Sequence, residues 1–407
     1  MGARYTVISA DCHAGADLAD YKPYLASRWH DEFDQWAAAY VNPFADLLAG
    51  TAYRNWDSDR RLAEHESDGI VAEVLFPNTV PPFFTEGNLV ALPPTEDEYD
   101  RRWAGLQAHN RWLADFCAAA PGRRAGILQI FLNRMDDAQA EIRWAREHLD
   151  VFGGVLLPSV APNSHLPPLW DPHYEPLWQI CEELDVPLNV HSGSGLPAYG
   201  DHEAARAMML IELPWFAHRP VWHLIFSGVL ERHPGLRIAL TEQGVAWLPR
   251  GLETLDWFYR RMTTSASAEA SFFGAVAASL SMSPTEYFKR NFWIGASFLR
   301  PVEAPMIGDL GVDRIMWGSD YPHSEGSYPY SREALRAAFA ASPADDVQAM
   351  VATNAARFYG FDLAALEPIG TRVGPLIDEV SQPISPDQFP AGSTCNAFET
   401  FQTARAW

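Results

Sequence analysis

The chain alternates short apolar runs with amphipathic segments along most of its 407 residues. Eight of these runs are bounded by turn-forming residues and are predicted as strands. They lie near Tyr5–Ala10, Ile70–Phe76, Ala125–Phe131, Gly154–Leu157, Val186–Val190, Leu236–Thr241, Phe292–Ala296 and Arg314–Trp317. The amphipathic segments include Asp97–Ala120, Met135–Leu149, Pro172–Leu184, Ala204–Leu230 and Val245–Arg261. Because strands that alternate with helices form parallel βαβ units, eight of them predict an α/β fold of the closed (β/α)₈, or TIM-barrel, type.

Two regions fall outside this repeat. The first is an aromatic insertion after the first strand, Tyr24–Leu62, which we predict to be a lid or a partner surface near the barrel mouth. The second is a tail rich in Pro, Gly and Ser, which either embraces a neighbouring subunit or packs on its own barrel. We therefore predict a barrel over residues 1–365 and a C-terminal tail or arm over residues 366–407.

The charge of the chain limits its partners. A formal net charge of −22 argues against nucleic acids and anionic membranes, since both require basic surface. We find no apolar run of membrane-spanning length and no signal-peptide pattern. The four cysteines are widely scattered, which is typical of free thiols in a reducing compartment. We expect a cytoplasmic protein that binds a small molecule, with a homodimer as the default assembly.

Side chains that bind metals stand at the ends of several predicted strands. Asp11 and His13 follow the first strand two positions apart, so an extended backbone directs both to one face, about 7 Å apart. His191 follows the fifth strand and Asp320 the eighth. Since barrel active sites lie at the C-terminal ends of the strands, these residues predict a site for a cation such as Zn²⁺ or Mn²⁺.

Five stretches, taken in order, resemble the amidohydrolase superfamily, and within it the branch of aminocarboxymuconate semialdehyde decarboxylase-like and related aromatic-acid decarboxylases. They are Ile8–His13, Pro187–Gly193, Phe226–Leu236, Trp317–His323 and Asn354–Gly360. The resemblance covers roughly residues 5–362 and implies a metal-dependent enzyme built on a barrel.

The resemblance also implies a single metal ion. Asp11 and His13 match the first-strand ligand pair, although relatives usually have His or Glu in the place of Asp11. His191 matches the fifth-strand ligand, and Asp320 matches the eighth-strand residue that binds metal and often moves protons. Binuclear relatives use a fourth-strand lysine, whereas the two lysines of this chain, Lys22 and Lys289, lie elsewhere. We predict one divalent metal, zinc, with manganese as the alternative.

The sixth strand departs from the family pattern, because Glu242 stands where many relatives have a histidine. Glu242 is either a general base or outer-sphere partner of metal-bound water, or an ion pair or cap of the following helix. His323, three residues past Asp320, either reaches the substrate or stabilises its own turn. We predict Asp320, Glu242 and His323 as catalytic residues.

Substrate-binding candidates come from the insertion and from the segment after the fifth strand. Arg54 and Arg61 are predicted to bind a substrate carboxylate, although loop charges are usually only solvated. Trp56 and the other insertion aromatics, Trp29, Phe33, Trp36 and Phe44, would cover a planar substrate if they are not simply core residues. His218 is expected to line the mouth.

Three functions follow from this set of residues. The main hypothesis is a metal-dependent hydrolase, in which metal-activated water attacks the carbonyl of an amide, lactone or similar group. The alternative is a non-oxidative decarboxylase of an aromatic or unsaturated carboxylic acid. The third is a binding barrel without catalysis, against which the intact ligand set argues. The missing sixth-strand histidine places hydrolysis first.

Overall fold

The computed structural model describes residues 2–42, 50–85, 91–162, 164–264 and 266–399. Within these ranges, eight parallel strands form one sheet in which each strand pairs with the next along the chain. The strands are β1 (Ile8–Ala14), β2 (Ala72–Pro77), β3 (Arg124–Gln129), β4 (Val151–Leu156), β5 (Leu188–His191), β6 (Ile238–Thr241), β7 (Phe292–Ser297) and β8 (Ile315–Gly318). The predicted (β/α)₈ barrel is confirmed.

The two edges of the sheet meet just beyond β8. The Asp320 amide donates to the Asp11 carbonyl (2.8 Å), and the His13 amide donates to the Tyr321 carbonyl (2.7 Å). Cys12 also pairs with Tyr321 in an isolated parallel bridge. These bonds hold the end of the first strand against the residues that follow the last one.

Helices surround the sheet, and two of the longer ones begin with capping boxes, Thr95 with Glu98 and Ser283 with Glu286. The longer helices are His30–Ala39, Ser58–Asp68, Glu96–Ala118, Met135–His148, Glu175–Glu183, Glu203–Phe226, Leu248–Thr263, Ala268–Ala278, Pro284–Asn291, Ser331–Phe339 and Leu363–Val373. Shorter ones are Val229–Arg232, Ile307–Leu310, Ala344–Gln348, Asn354–Tyr359 and Ile377–Val380. Among the described residues, no helix has both the length and the apolar character needed to cross a membrane.

The first strand is longer than its apolar run predicts. The run ends at Ala10, whereas β1 continues to Ala14, so Asp11 and His13 are strand residues. The pairing with β2 shifts between Ser9 and Cys12, which marks a bulge beside Asp11. Bulges redirect side chains and are common next to active sites. Every residue of β1 is buried, so both candidate ligands lie inside the barrel.

One end of the barrel is closed by the helix Asn354–Tyr359. The Asn354 amide group donates to the carbonyl of Ile315, the first residue of β8, and the Tyr359 hydroxyl donates to the Asn189 side chain. Apolar side chains of this helix pack into a cluster with β1 and β2. The carboxyl ends of the strands, at the other end of the barrel, are left for the polar site.

The described part of the aromatic insertion packs as a small core. The rings of Trp29, Phe33 and Trp36 contact Phe83, and the Trp36 indole donates to the Phe84 carbonyl. Phe44 lies outside the described residues. These contacts bind the insertion to the segment after β2.

The tail packs on its own barrel as far as residue 399. Phe398 and Phe389 join a cluster with Phe298, which follows β7, and with the helix Ser331–Phe339. The helix Leu363–Val373 runs across the predicted boundary at residue 365. The division into residues 1–365 and 366–407 stays a prediction.

Candidate metal centre

Four predicted ligands meet at the carboxyl ends of β1, β5 and β8. His13 Nε2 lies 3.4 Å from Asp11 Oδ1 and 3.0 Å from Asp320 Oδ1. His191 Nε2 lies 3.5 Å from the same Asp11 oxygen. The side chains of Asp11, His13 and Asp320 have no exposed surface, and that of His191 has 1%. The four ligands predicted from the strand ends are therefore neighbours in the fold.

Each of these residues has a buried atom without a hydrogen-bond partner among the described residues. The atoms are Asp11 Oδ1, His13 Nε2, His191 Nε2 and Asp320 Oδ2. Buried polar atoms in proteins are normally satisfied. Carboxylate oxygens and imidazole nitrogens suit a divalent cation such as zinc or manganese. The donor set fits a single divalent metal, and β4 has no lysine that could bridge a second one.

Neighbouring groups fix the direction of these donors. The Nδ1 atom of His191 lies 2.9 Å from the Ser192 carbonyl, and that of His13 lies 3.4 Å from the Pro77 carbonyl. When Nδ1 carries the proton and donates it to a carbonyl, Nε2 offers its lone pair to a metal. The Ser297 hydroxyl donates to Asp11 Oδ2, which leaves Oδ1 directed at the two imidazoles.

The buried carboxylates and imidazoles shift one another's protonation. Burial raises the pKa of Asp11, but the adjacent imidazoles of His13 and His191 outweigh burial and lower it. Burial lowers the pKa of both histidines, but Asp11 together with Asp320 raises that of His13, and Glu242 together with Asp11 raises that of His191. The cluster therefore attracts positive charge, which is what a cation site requires.

Asp320 and His323 form a hydrogen-bonded pair beside the ligand set. His323 Nδ1 lies 3.0 Å from Asp320 Oδ1, and His323 Nε2 lies 3.2 Å from the Asn78 side-chain oxygen. Burial alone lowers the pKa of His323, but the Asp320 and Glu242 carboxylates raise it to about 10. Burial raises the pKa of Asp320, but the charge and hydrogen bond of His323 and the adjacent His13 imidazole lower it. His323 is thus a protonated group held against a carboxylate.

Glu242 turns toward the ligand set directly after β6. Its Oε2 lies 3.2 Å from His191 Nε2, and its side chain keeps 21% of its surface exposed. Burial and the carboxylates of Asp320 and Asp11 raise its pKa to about 8, against the opposing effect of His191. The helix after β6, Leu248–Thr263, begins without a side-chain cap, and Glu303 accepts from the amides of Val245 and Ala246 in the turn before it.

A cavity of about 660 Å³ opens beside Glu242 and is lined by residues that follow β5, β6 and β7. His218 and Trp247 are among these residues, and their rings stack at 3.6 Å. Burial lowers the pKa of His218 to about 3, so this imidazole is neutral. His218 therefore lines this cavity as a buried side chain, and its contact with a substrate stays a prediction.

The predicted substrate residues of the insertion do not line the cavity beside Glu242. Arg54 pairs with Glu64 and stacks over the ring of Tyr328. Arg61 is fully buried, and each of its three nitrogens donates to Glu73 or to a backbone carbonyl.

Because one of those carbonyls belongs to His13, Arg61 supports the ligand strand and has no nitrogen left for a substrate. Trp56 packs against the hydrophobic core and does not line the cavity beside Glu242. In the structure these three residues contact protein groups, and the substrate contacts of Arg54 and Trp56 stay predictions.

Sequence reasoning missed several residues that contact the site. Asn78 stands two residues after the predicted second strand, and Ser297 directly follows the predicted seventh strand. The strand-end rule could therefore have found both. Arg300, Asn396 and Glu399 also line the cavity. The last two belong to the tail, and no local pattern relates them to a strand end.

Comparison with known proteins gives a family match over the barrel and curated relatives of about half of the chain. A family model described as amidohydrolase matches residues 10–361. The gamma-resorcylate decarboxylase of Rhodococcus jostii (strain RHA1) is 28% identical over 223 residues, which are 52% of this chain and 64% of the relative. That of Rhizobium radiobacter is 27% identical over 231 residues, with the same two shares. The chain thus spans less than two thirds of the curated relatives that it matches.

Solved structures share the fold. The 5-carboxyvanillate decarboxylase of Sphingomonas paucimobilis superposes with a TM-score of 0.65 at 21% identity and covers 88% of this chain and 100% of its own. A dihydroxybenzoic acid decarboxylase from Polaromonas sp. JS666, determined with bound manganese, gives 0.61 at 18% identity and covers 88% and 97%. At these identities the likeness concerns the fold alone.

These findings correct the predicted reaction. The main hypothesis, hydrolysis of a carbonyl compound, is wrong, because the relatives are decarboxylases, as the alternative hypothesis had it. The single divalent metal is supported, whereas zinc is not specifically supported, since two of the solved structures with this fold were determined with bound manganese. The homodimer and the cytoplasmic location stay predictions.

Proposed function

Since the chain belongs to the amidohydrolase family, we propose that it is a metal-dependent decarboxylase of a small aromatic carboxylic acid. One observation carries this proposal. Asp320, one of the buried donors that fit a single divalent metal, is hydrogen-bonded to His323, which can supply a proton. A cavity of small-molecule size lies beside them. The decarboxylase activity of the relatives agrees with it.

Asp11, His13, His191 and Asp320 are the residues that would hold the metal. When bound, the divalent metal supplies a positive centre that fixes the substrate carboxylate and an adjacent hydroxyl. The carbonyl contacts of the two imidazoles keep their Nε2 atoms directed at that centre.

The proton that replaces the carboxylate comes from the Asp320–His323 pair. His323 holds it at Nδ1, 3.0 Å from Asp320 Oδ1, and passes it to Asp320. Asp320 delivers it to the ring carbon that bears the carboxylate. The carbon–carbon bond then breaks, its electron pair restores the aromatic ring, and carbon dioxide leaves. His323 regains a proton from solvent, since its side chain is 19% exposed.

Glu242 and His218 bind and orient the ring. Glu242 reaches both His191 and the cavity, so it is placed to accept a hydrogen bond from a ring hydroxyl. The neutral His218 imidazole stacked on Trp247 gives the cavity a flat wall, which suits a planar substrate.

A panel of hydroxybenzoates tests the proposal. We expect the manganese-loaded protein to release carbon dioxide from at least one member. Asp320→Asn should lower kcat by roughly 10² to 10⁴-fold at matched metal occupancy, because the proton donor is removed. Asp313→Asn, an exposed carboxylate just before β8, is the control and should leave kcat unchanged. Hydrolysis of a lactone or amide panel by a protein inert toward every hydroxybenzoate would contradict the proposal.

A further inference from the structure

Glu242 lies closer to the ligand set than a residue that only lines the cavity. Its Oε2 is 3.2 Å from His191 Nε2. A cluster of four possible donors, each within 4.8 Å of the others, consists of Asp11, His13, His191 and Glu242. Two ligands that bind one ion at about 2.1 Å are about 3 Å apart when adjacent and about 4.2 Å apart when opposite. A small shift of its side chain therefore brings Glu242 to the position of a further metal ligand.

The contact between Glu242 and His191 is not a hydrogen bond. His191 Nδ1 lies 2.9 Å from the Ser192 carbonyl and donates to it when it carries the ring proton. Nε2 has no hydrogen-bond partner among the described residues, although the Glu242 oxygen is 3.2 Å away. A nitrogen lone pair and a carboxylate oxygen repel each other at this distance unless a cation binds them both. The two atoms thus have the arrangement of two ligands of one ion.

Glu242 differs from the other four ligands in having no anchor. Each of those four contacts a neighbouring group that fixes its direction, and these groups belong to Ser297, Pro77, Ser192 and His323. Within the described ranges, the Glu242 carboxylate makes no hydrogen bond, and 21% of its side-chain surface is exposed. It also lines the cavity. Its side chain can therefore turn between the metal centre and the cavity.

We propose that Glu242 is a fifth, displaceable ligand of the metal, which binds through one carboxylate oxygen until a substrate enters the cavity. The substrate carboxylate then takes the coordination position that Glu242 leaves, and Glu242 accepts a hydrogen bond from the ring hydroxyl. The inference rests on the proposed function, whose metal and substrate it requires. It adds a residue that covers the metal between turnovers and yields this position to the substrate.

Manganese binding to the full chain without substrate tests the ligand. With five protein ligands, six-coordinate manganese keeps at most one water, and broadening of its EPR signal in ¹⁷O-enriched water counts the bound waters. We expect Glu242→Ala to lower the manganese affinity at least tenfold and to add one bound water. Glu253→Ala, an exposed glutamate on the helix Leu248–Thr263, is the matched control and should change neither value.

Binding of benzoate to the manganese-loaded proteins tests the displacement. Benzoate has the carboxylate but no hydroxyl, so in the wild-type chain it must displace Glu242 without giving it a new hydrogen bond. We expect Glu242→Ala at saturating manganese to bind benzoate at least threefold more tightly than wild type, measured by calorimetry. A damaged site would weaken the binding of both manganese and benzoate, so opposite changes separate ligand exchange from damage.

Two or more waters on the manganese of the wild-type chain would overturn the proposal, as would an unchanged water count in folded Glu242→Ala. Benzoate affinity that stays the same or falls in that variant would contradict the displacement. If the variant fails to fold, the wild-type water count decides. None of these readouts needs turnover, so a chain with this coordination that releases no carbon dioxide contradicts the proposed function alone.

Discussion

Two acidic residues of the site adopt a left-handed backbone conformation. Glu242 and Asp320 both have a φ of 57°, one directly after β6 and the other two residues after β8. Such a conformation costs a residue other than glycine about 1 kcal/mol or more and is typical of functional sites. Here it turns two carboxylates toward the histidines at the centre of the barrel.

Asp68 is a buried carboxylate outside the site, and its protonation makes the stability of the fold depend on pH. Its Oδ1 accepts from the Ser331 amide, and burial raises its pKa from 3.8 to about 6. The folded chain therefore holds this proton more tightly than the unfolded chain. The stability due to protonated Asp68 is complete below about pH 4 and is lost as the pH rises through 6.

We expect Asp68→Asn to keep the hydrogen bond and to remove this loss. Its free energy of unfolding, relative to wild type, should rise by about 2 kcal/mol between pH 4 and pH 6.5. Urea unfolding at a series of pH values measures the difference. Glu367→Gln, an exposed carboxylate on the helix Leu363–Val373, serves as the control. A difference that stays constant with pH would show that Asp68 does not titrate in this range.

At the level of elements, β8 approaches β1 so closely that only glycine fits at its end. A Cβ at Gly318 would lie 2.6 Å from the Asp11 Cβ and 2.9 Å from the Ser297 hydroxyl oxygen. Both atoms belong to side chains that form the hydrogen bond between Ser297 and Asp11, which directs Asp11 toward the histidines. The close approach of the strands therefore determines the position of a ligand.

Gly318→Ala should weaken metal binding more than it disturbs the fold. We expect manganese affinity to fall roughly 10- to 100-fold, because Asp11 and Ser297 must shift. The stability loss should be about 1–3 kcal/mol. Titration calorimetry measures the manganese affinity, and urea unfolding measures the stability loss. Gly308→Ala, where a Cβ meets nothing within 4 Å, is the control. Unchanged affinity in Gly318→Ala would mean that Asp11 is not a ligand.

The strand pattern was predictable because the strands of a parallel sheet are buried on both faces and therefore appear in the sequence as short apolar runs. Strand ends then placed Asp11, His13, His191 and Asp320 at one rim of the barrel. The substrate side was not predictable in the same way. Arg61 pairs with Glu73 of the next element along the chain, and Glu399 of the tail approaches Arg300. Contacts between different elements such as these leave no local sequence pattern.

At the scale of the whole molecule, the metal should act as a stabilising ligand. A ligand that binds only the folded chain stabilises it by about 2.7 kcal/mol at a hundred times its dissociation constant. We expect manganese to raise Tm in a concentration-dependent way, a chelator to reverse the rise, and metal analysis to find one equivalent per chain. His191→Ala should lose both the metal and the shift, whereas His148→Ala, an exposed histidine, should keep them. Two equivalents per chain would contradict a mononuclear site.

In the proposed reaction, one bound metal and the Asp320–His323 pair together replace a ring carboxylate by a proton. Incubation of the manganese-loaded chain with carboxyl-¹³C-labelled 2,6-dihydroxybenzoate and related hydroxybenzoates in D₂O tests it directly. We expect release of ¹³CO₂ from at least one substrate, one deuteron at the vacated ring carbon, and a rate proportional to metal occupancy. No label release from any of these acids at full occupancy, or release that is independent of metal, would contradict it.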